Sequence, residues 1–418
     1  MEKIKAKLTY LKSRSIVKEF SWYTISNFTA QIMSFISMLF ISRYLGPTNL
    51  GLYAFVQNYY ITIFTIISGS DFYFSWALAR SEDKIADIKK FIVHRLHISI
   101  ILSIIGILTA YIILPRDIAL MCMILIAPAF LNSFIIFAFF ALVQKKAKLV
   151  AGVQMCTALI MTSIKILLVY IQAPLTYFIF ASALDVTIIS IAYLLIFSHN
   201  KKFIREIWSI HTPKLLETFN FIFSIKMSIF VIFLWQLLLR ADQLILAYIT
   251  NAYSLGIYAA AVKVAEVPNV LAGILYLTMI SRMVPLIKEN SSHAHHNLRR
   301  VFYLYLLIGI FMSILVIIFA SLAIKIIYGV KFLESVPVLQ VYALSIPGMY
   351  LTYFFFSLFG AIDKYKVQAI VFFISVILNI VLVLLLTPIY GLIGASSATA
   401  ITYTLAGICF YIYWRKML

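Results

Sequence analysis

The chain has 418 residues, of which 63% are hydrophobic and only 12% are charged, and its mean hydropathy is +1.02. Water-soluble domains carry about twice that charged fraction, so the composition excludes a soluble globular protein and makes lipid the solvent for most of the chain. A bilayer core takes about 20 apolar residues per helical span. Twelve such spans would use well over half of the length, which leaves no room for a large domain outside the membrane.

Twelve apolar segments follow one another along the sequence and predict an all-α polytopic membrane protein. In chain order they are 21–42, 52–77, 91–113, 118–142, 150–171, 175–197, 221–248, 256–281, 302–324, 337–359, 367–387 and 392–414. Each is expected to be a helix because backbone groups in lipid must satisfy their hydrogen bonds within the segment. The basic stretch before the first span has no small-residue cleavage pattern, so we expect a retained helix rather than a signal peptide.

Lysine and arginine are distributed unevenly over the predicted loops. Of the 34, 26 fall on the side that carries both termini, four fall on the opposite side and four lie within spans. Because cytoplasmic loops carry the excess of basic residues, both termini are expected in the cytoplasm. This asymmetry also accounts for the net charge of +19 without a nucleic-acid partner.

The longest predicted cytoplasmic connector lies between the sixth and seventh spans. Phe203, Ile207 and Ile210 share one face of a helix there, and the basic residues lie away from that face. This pattern predicts a short helix that lies on the inner leaflet. The expected organisation is an N-terminal lobe at 1–200, an interfacial linker at 201–220 and a C-terminal lobe at 221–418.

Two matches between the halves predict an internal repeat. Segment 49–55, after the first span, is similar to segment 254–260, near the start of the eighth, and both contain Leu-Gly-x-Tyr-Ala. Pro128 in the fourth span and Pro347 in the tenth match more loosely. A repeat displaced by six spans keeps its orientation, so the lobes would be parallel repeats with a site at their interface, as in many transporters. The alternative is a chance match of short apolar segments.

Eight ionisable residues lie within predicted spans, where each costs at least about 2.5 kcal/mol and commonly faces a cavity or a partner. Lys226, Phe233 and Arg240 are spaced by seven, so one face of the seventh span is expected to be cationic. The candidate substrate-binding residues are Lys226, Arg240 and Lys263 on a cationic wall, with Asn27 and Gln31 of the first span on a polar wall. Two such walls suit a ligand that is anionic and rich in hydroxyls.

The other intramembrane charges are candidates for ion coupling or for structural pairs; they are Asp71, Lys165, Asp185, Asp242 and Glu266. Several structural alternatives stay open. Arg240 and Asp242 could pair across helices, Lys263 and Glu266 are at i and i+3 and can pair with each other, and Lys226 could snorkel to the interface. Asp185, in the middle of the sixth span, is the hardest to explain structurally and is the candidate coupling proton site.

Motifs of catalysis and of cofactor binding are absent from the sequence. It contains no G-x-x-x-x-G-K-[ST], H-E-x-x-H or G-x-S-x-G, so we expect no ATPase, no metalloprotease, no serine hydrolase and no cofactor. Cys122, Cys156 and Cys409 all fall inside apolar spans and are interpreted as small apolar residues rather than as a disulfide or metal set.

Three segments carry a resemblance to a known family. Ser42-Arg43-Tyr44-Leu45-Gly46-Pro47-Thr48-Asn49-Leu50-Gly51-Leu52-Tyr53-Ala54 is similar to the N-terminal signature of bacterial polysaccharide flippases. Arg240-Ala241-Asp242-Gln243 followed by 255–260 resembles their second-half signature, and the ending 390–395 also fits. The chain as a whole resembles the O-antigen (Wzx-type) flippases of the multidrug/oligosaccharidyl-lipid/polysaccharide exporter superfamily.

The resemblance implies a substrate and a mechanism. The substrate would be an undecaprenyl-diphosphate-linked oligosaccharide that moves from the cytoplasmic to the periplasmic leaflet by alternating access of two lobes, with ion or proton coupling. Its lipid tail would stay among the membrane lipids. An O-antigen polymerase and a chain-length regulator are the implied protein partners.

Other membrane functions compete with this one. A drug/cation antiporter of the same superfamily should have an acidic cavity, whereas the seventh span is basic. A flippase of lipid-linked peptidoglycan precursors usually has two further helices. An O-antigen polymerase usually has a long periplasmic loop with arginines, but the longest outer connector, 325–336, has two lysines and no arginine. A purely structural membrane protein would not need buried charges on one stripe.

Overall fold

A computed structural model of the chain describes residues 2–80, 84–199, 205, 212–273, 275, 292–362 and 364–417. Its α-helices are α1 (Glu2–Arg80), α2 (Lys84–Ile113), α3 (Arg116–Ile126), α4 (Ile136–Val143), α5 (Ala147–Tyr170), α6 (Leu175–Ser198), α7 (Leu215–Ser224), α8 (Lys226–Leu238), α9 (Ala241–Ile249), α10 (Ala252–Glu266), α11 (Ser292–Ile327), α12 (Ser335–Tyr342), α13 (Ile346–Ala361) and α14 (Tyr365–Met417). Short 3₁₀ segments lie at Ala127–Ile135, Val330–Phe332 and Ala343–Ser345. The prediction of an all-α polytopic membrane protein is confirmed, since every element in the described ranges is helical.

The described part of the chain contains eight helical stretches that are long and apolar enough to cross a membrane, or nine if α7 and α8 form one broken span. Two of the stretches each hold two predicted spans. The first is α1, which is interrupted at Gly46 (φ 68°), and the other is α14, which is interrupted at Gly391 (φ 62°). The connections predicted as loops are therefore sharp breaks at a glycine, the residue that adopts positive φ without steric cost.

Three predicted spans are broken inside the apolar region. The fourth passes through the 3₁₀ segment Ala127–Ile135, which contains Pro128, and the tenth passes through Ala343–Ser345 just before Pro347. Proline lacks the N–H that an α-helix needs, so both interruptions follow from the sequence and fall at the matched repeat positions. The seventh span divides into α7, α8 and α9.

The helices form two compact units, each with its own apolar core. Unit 1 comprises 1–44 and 66–226, and unit 2 comprises 45–65 and 227–418. The core of unit 1 is rich in phenylalanine, including Phe74, Phe137 and Phe140, and the core of unit 2 contains fully buried tyrosines such as Tyr342. This division differs from the expected lobes, because 45–65 belongs with the second half of the chain. Half of the expected interfacial linker at 201–220, including Phe203, Ile207 and Ile210, falls outside the described residues.

The reason for that assignment is a close approach between two glycines. A Cβ atom on Gly51 would overlap the carbonyl oxygen of Ala252 and lie 2.8 Å from the backbone nitrogen of Gly256. A Cβ atom on Gly256 would overlap the carbonyl oxygen of Pro47 and lie 3.0 Å from the backbone nitrogen of Gly51. The α1 segment after Pro47 thus packs backbone to backbone on α10. The two glycines are those that the sequence repeat aligned.

Candidate functional site

The seventh span is interrupted in unit 2 at Leu239 and Arg240. Helix α8 ends at Leu238, α9 begins at Ala241, and Arg240 between them has φ −133° and ψ −8°. A helix N-terminus leaves backbone N–H groups without intrahelical partners, and Asp242 in the first turn of α9 meets one of them. Its Oδ1 accepts a hydrogen bond of 2.7 Å from the Gln243 N–H. Broken helices near the bilayer midplane form the substrate and ion sites of many transporters.

Asp242 is almost completely buried, with 1% of its surface exposed. Its Oδ2 accepts hydrogen bonds from the Tyr258 hydroxyl at 2.7 Å and the Thr399 hydroxyl at 3.1 Å. Asn379 Nδ2 in turn donates to Thr399 Oγ1 at 3.4 Å. No basic side chain in the described ranges forms an ion pair with Asp242, so three hydrogen-bond donors replace its hydration. An isolated buried charge is strongly unfavourable, and these three donors stabilise the carboxylate within unit 2.

The oxygen atoms around Asp242 decide which cation the site suits. Asn379 Oδ1 is buried and accepts no hydrogen bond from the described residues, so it remains available beside Thr399. The described residues contain no group of three or more His, Cys, Asp or Glu that could hold a metal ion. One carboxylate with neutral oxygens carries a single negative charge, which matches a proton or a monovalent cation better than a divalent one.

Arg240 does not pair with Asp242. Its Nη1 donates to the Gln236 side chain at 2.7 Å and to the Gln236 carbonyl at 3.4 Å, and its buried Nε has no hydrogen-bond partner among the described residues. The carboxylate that acts most strongly on Arg240 is Glu266, which belongs to α10. Guanidinium has five donors in a planar fork, and most of them remain available for a ligand.

Aromatic side chains of α8 and α13 pack together in unit 2. Trp235 packs edge to face on Tyr353, with ring centroids 5.0 Å apart, and on Phe356 at 3.9 Å. Tyr258 of α10, in contrast, is fully buried and donates a hydrogen bond to Asp242.

The remaining charged candidates of the seventh and eighth spans are Lys263 and Lys226. Lys263 forms an ion pair of 2.8 Å with Glu266, as the i, i+3 spacing allows. Lys226 is at the end of unit 1, exposed, with its Nζ 3.5 Å from the ring centroid of Phe223. Because α8 ends at Leu238, Lys226 and Arg240 do not share one continuous helix as the spacing by seven suggests.

Unit 1 contains the other candidates. Asp185 of α6 is ion-paired with Lys165 of α5, which provides a structural partner for the charge that the sequence left unexplained. Gln31 in α1 is exposed, and Asn27, which the sequence predicts on the same polar wall, lies in the same helix. The side chains of Asn27 and Asp71 are outside the described part of the chain.

Three uncharged residues that bind Arg240 or lie in the Asp242 network were missed from sequence because they carry no charge. They are Gln236, Asn379 and Thr399. A search for polar residues within apolar spans would have found Asn379, which stands alone among aliphatic neighbours in α14. Thr399 lies 157 positions from Asp242, and no local spacing connects them.

Comparisons with known proteins show what the chain is similar to. The fold matches a multidrug resistance MATE family transporter of the MOP superfamily in its inward-facing conformation, with a TM-score of 0.76 and 13% identity over 93% of this chain and 94% of that one. It matches the lipid II flippase MurJ with a TM-score of 0.71 and 14% identity, covering 94% of this chain and 87% of that one. It also matches the MATE transporter VcmN of Vibrio cholerae with a TM-score of 0.65 and 15% identity over 97% of each chain. No curated protein matches the sequence.

These structural matches show that the chain shares the fold of these proteins, and the apolar helices of the described ranges support a multi-pass membrane protein. At such low identities they show the fold alone. The sequence itself matches the family described as polysaccharide biosynthesis protein over residues 16–284. Because that match extends over more than half of the sequence, the chain belongs to this family of polysaccharide biosynthesis proteins.

Proposed function

We propose that the chain is a flippase that moves undecaprenyl-diphosphate-linked O-antigen repeat units from the cytoplasmic to the periplasmic leaflet of a bacterial inner membrane. The observation that carries the proposal is Arg240, a guanidinium at an interruption of a membrane helix whose Nε has no partner among the described residues. Arginine binds phosphate groups through two parallel N–H donors. The family's role in polysaccharide synthesis supports a saccharide cargo, and the fold shared with a lipid II flippase supports a lipid-linked one.

The two polar parts of such a substrate have chemical counterparts in unit 2. The diphosphate would bind Arg240, and sugar rings would pack on Trp235 and Tyr353, because aromatic rings combine an apolar face with a polar group. Lys226, which forms no ion pair in the described structure, is a second candidate cation for the diphosphate. Lys263 is held by Glu266 and is the weaker candidate, and Asn27 and Gln31 remain the candidate polar wall.

Asp242 is the proposed coupling site. It is buried and lacks a cationic partner in the described residues, so the addition of a proton or a monovalent cation would neutralise it at no cost in broken ion pairs. Its hydrogen-bond partner Tyr258 belongs to α10 and Thr399 belongs to α14, so a change at the carboxylate acts on three helices at once. Asp185 is the alternative coupling site, but its carboxylate already has Lys165 as a partner.

The proposal is tested by complementation of a bacterium that lacks its own O-antigen flippase. We expect the parent chain to restore polymerised O-antigen, Arg240→Lys to retain part of that activity and Arg240→Ala to lose it. Arg299→Ala, which removes an exposed arginine of α11, is the matched control and should behave as the parent. Equal activity of the Arg240 variants would remove Arg240 from the site, and a chain that is present in the membrane but restores nothing in a host with matching sugars would refute the function.

A multidrug/cation antiporter is the second candidate function. It is favoured by the buried carboxylate of Asp242, which has no ion-pair partner among the described residues, and by the similarity to MATE family transporters. Export of cationic dyes that is abolished by Asp242→Asn, together with failure of the complementation assay, would support this function. Dye export at the background level in cells that contain the parent chain would exclude it.

A further inference from the structure

Two histidines of unit 1 share a single hydroxyl group where α7 meets α2. His94 and His97 lie one helical turn apart on α2, and the Nδ1 atom of each is 2.9 Å from Oγ1 of Thr218 in α7. Thr218 is 1% exposed and His94 is 7% exposed, so water does not compete for these bonds. The hydroxyl is therefore a buried link between the two helices.

An aromatic stack reinforces this link. The ring of His94 lies parallel to that of Phe221, one turn further along α7, with the centroids 4.9 Å apart and 1° between the planes. Phe221 stacks in turn on Phe74 of α1 at 5.4 Å. The opposite face of α7 carries exposed apolar side chains, including Leu216 and Phe223, so Thr218 and Phe221 define the face that packs on α2 and α1 within unit 1.

Hydrogen-bond counting shows which protonation state this arrangement suits. A hydroxyl has one proton to donate and can accept further bonds. With both rings neutral, Thr218 donates to the bare Nδ1 of one ring and accepts the Nδ1–H of the other, so every group is satisfied. If the ring that accepts this hydroxyl proton is itself protonated at Nδ1, neither ring offers the hydroxyl proton an acceptor. Protonation of both would place two cations no more than about 6 Å apart, where they repel each other.

The surrounding charges do not offset this repulsion. The groups whose charges act on His94 are His97 and Lys90 of α2 and Glu217 of α7, and only Glu217 among them is a carboxylate. The N-terminal part of α2 further contributes Asp87, Lys89 and Arg95. The elements that pack most extensively on α2 besides α7 are α3, the 3₁₀ segment Ala127–Ile135 and α4, and their charged residues are Arg116 and Asp117 at the start of α3. Helix α1 also contacts α2, through the rings of Phe74 and Phe91, and its charged residues nearest to Phe74 along the chain are Asp71 and Arg80.

We propose that His94, His97, Thr218 and Phe221 form a pH-sensitive clamp, which holds α7 against α2 while both imidazoles are neutral and releases it on acidification. Helix α7 leads through Ile225 directly into α8 and then to the break at Arg240. Release of the clamp therefore frees the chain segment that precedes the proposed anion site. The clamp goes beyond the proposed function, because the docking of α7 is measured without any transported substrate.

The test is hydrogen exchange of the backbone amides of 215–224 in the full chain, reconstituted in lipid nanodiscs at pH 7.5 and pH 5.5. After correction for the intrinsic pH dependence of exchange, we expect the opening equilibrium of α7 to rise about threefold to tenfold at the lower pH. This range corresponds to the loss of one net hydrogen bond. Exchange in α5, far along the chain from the clamp, serves as the internal reference.

Variants separate the clamp from a general effect of acid. Asparagine places an amide where Nδ1 stands and cannot titrate in this range, so His94→Asn with His97→Asn should abolish the difference between the two pH values. His199→Asn, at an exposed site after α6, should leave that difference as in the parent. If the double variant fails to fold, His97→Asn alone should reduce it. A parent without any difference, or a double variant that keeps the parent's difference, would overturn the proposal.

Discussion

Replacement of Gly256 by alanine is expected to destabilise the protein, although alanine is the better helix former. In an unhindered helix the change gains about 1 kcal/mol. At Gly256 the added methyl group overlaps the carbonyl oxygen of Pro47, and overpacking of this kind costs about 1–3 kcal/mol. Because the overlapping atom belongs to backbone that cannot rotate away, we expect the upper end of that range and a net loss of about 2 kcal/mol.

Gly152→Ala is the matched control, since Gly152 lies inside α5 and an added Cβ would meet nothing within 4 Å. The two variants should differ by about 3 kcal/mol, which corresponds to a difference in Tm of about 3 °C for a chain of 418 residues. Thermal unfolding of both variants in the same detergent measures it. If Gly256→Ala unfolded at the same temperature as Gly152→Ala, the backbone contact between the two repeats would not exist as described.

Three further predictions concern buried polar groups and backbone geometry. Lys165→Ala alone should lower Tm more than the double change with Asp185→Ala, because a single substitution leaves one charge without its partner; an additive double-mutant cycle would contradict this. Tyr258→Phe removes one of three donors to Asp242 and should cost about 1–3 kcal/mol at neutral pH, measured as a lower Tm than the parent's. Gly391→Ala should cost about 1–2 kcal/mol because its φ of 62° is unfavourable for a side chain; an unchanged Tm would mean that the break in α14 can straighten.

The membrane spans were predictable because apolar length alone determines them. The sequence did not show that the first and second spans, or the eleventh and twelfth, are joined without a loop. Those direct connections between spans depend on the positive φ of Gly46 and Gly391. The sequence shows that glycines stand there but does not show their conformation. The 3₁₀ interruptions at Pro128 and Pro347 were foreseeable as kinks, since proline removes a backbone donor wherever it stands in a helix.

The candidate site was harder to predict than the spans. Sequence reasoning selected Arg240 and Asp242 as unusual charges, but it could not show that the helix breaks between α8 and α9, where neither proline nor glycine occurs. The uncharged partners of Asp242 come from distant helices and are fixed only by tertiary packing. The same holds for Asp185 and Lys165, which the sequence flagged separately and which the packing of α5 on α6 pairs.

The assignment of 45–65 to unit 2 has a consequence for how the chain can be divided. A gene divided at the connector 201–220 would encode an N-terminal fragment that contains 45–65. The helix on which 45–65 packs, α10, would then belong to the other fragment. Neither fragment is expected to be stable when made alone. When both fragments are produced in one cell, they should associate, with the contact between Gly51 and Gly256 as part of their interface. Loss of the covalent link between the fragments should therefore disturb the protein less than loss of the packing of 45–65 on α10.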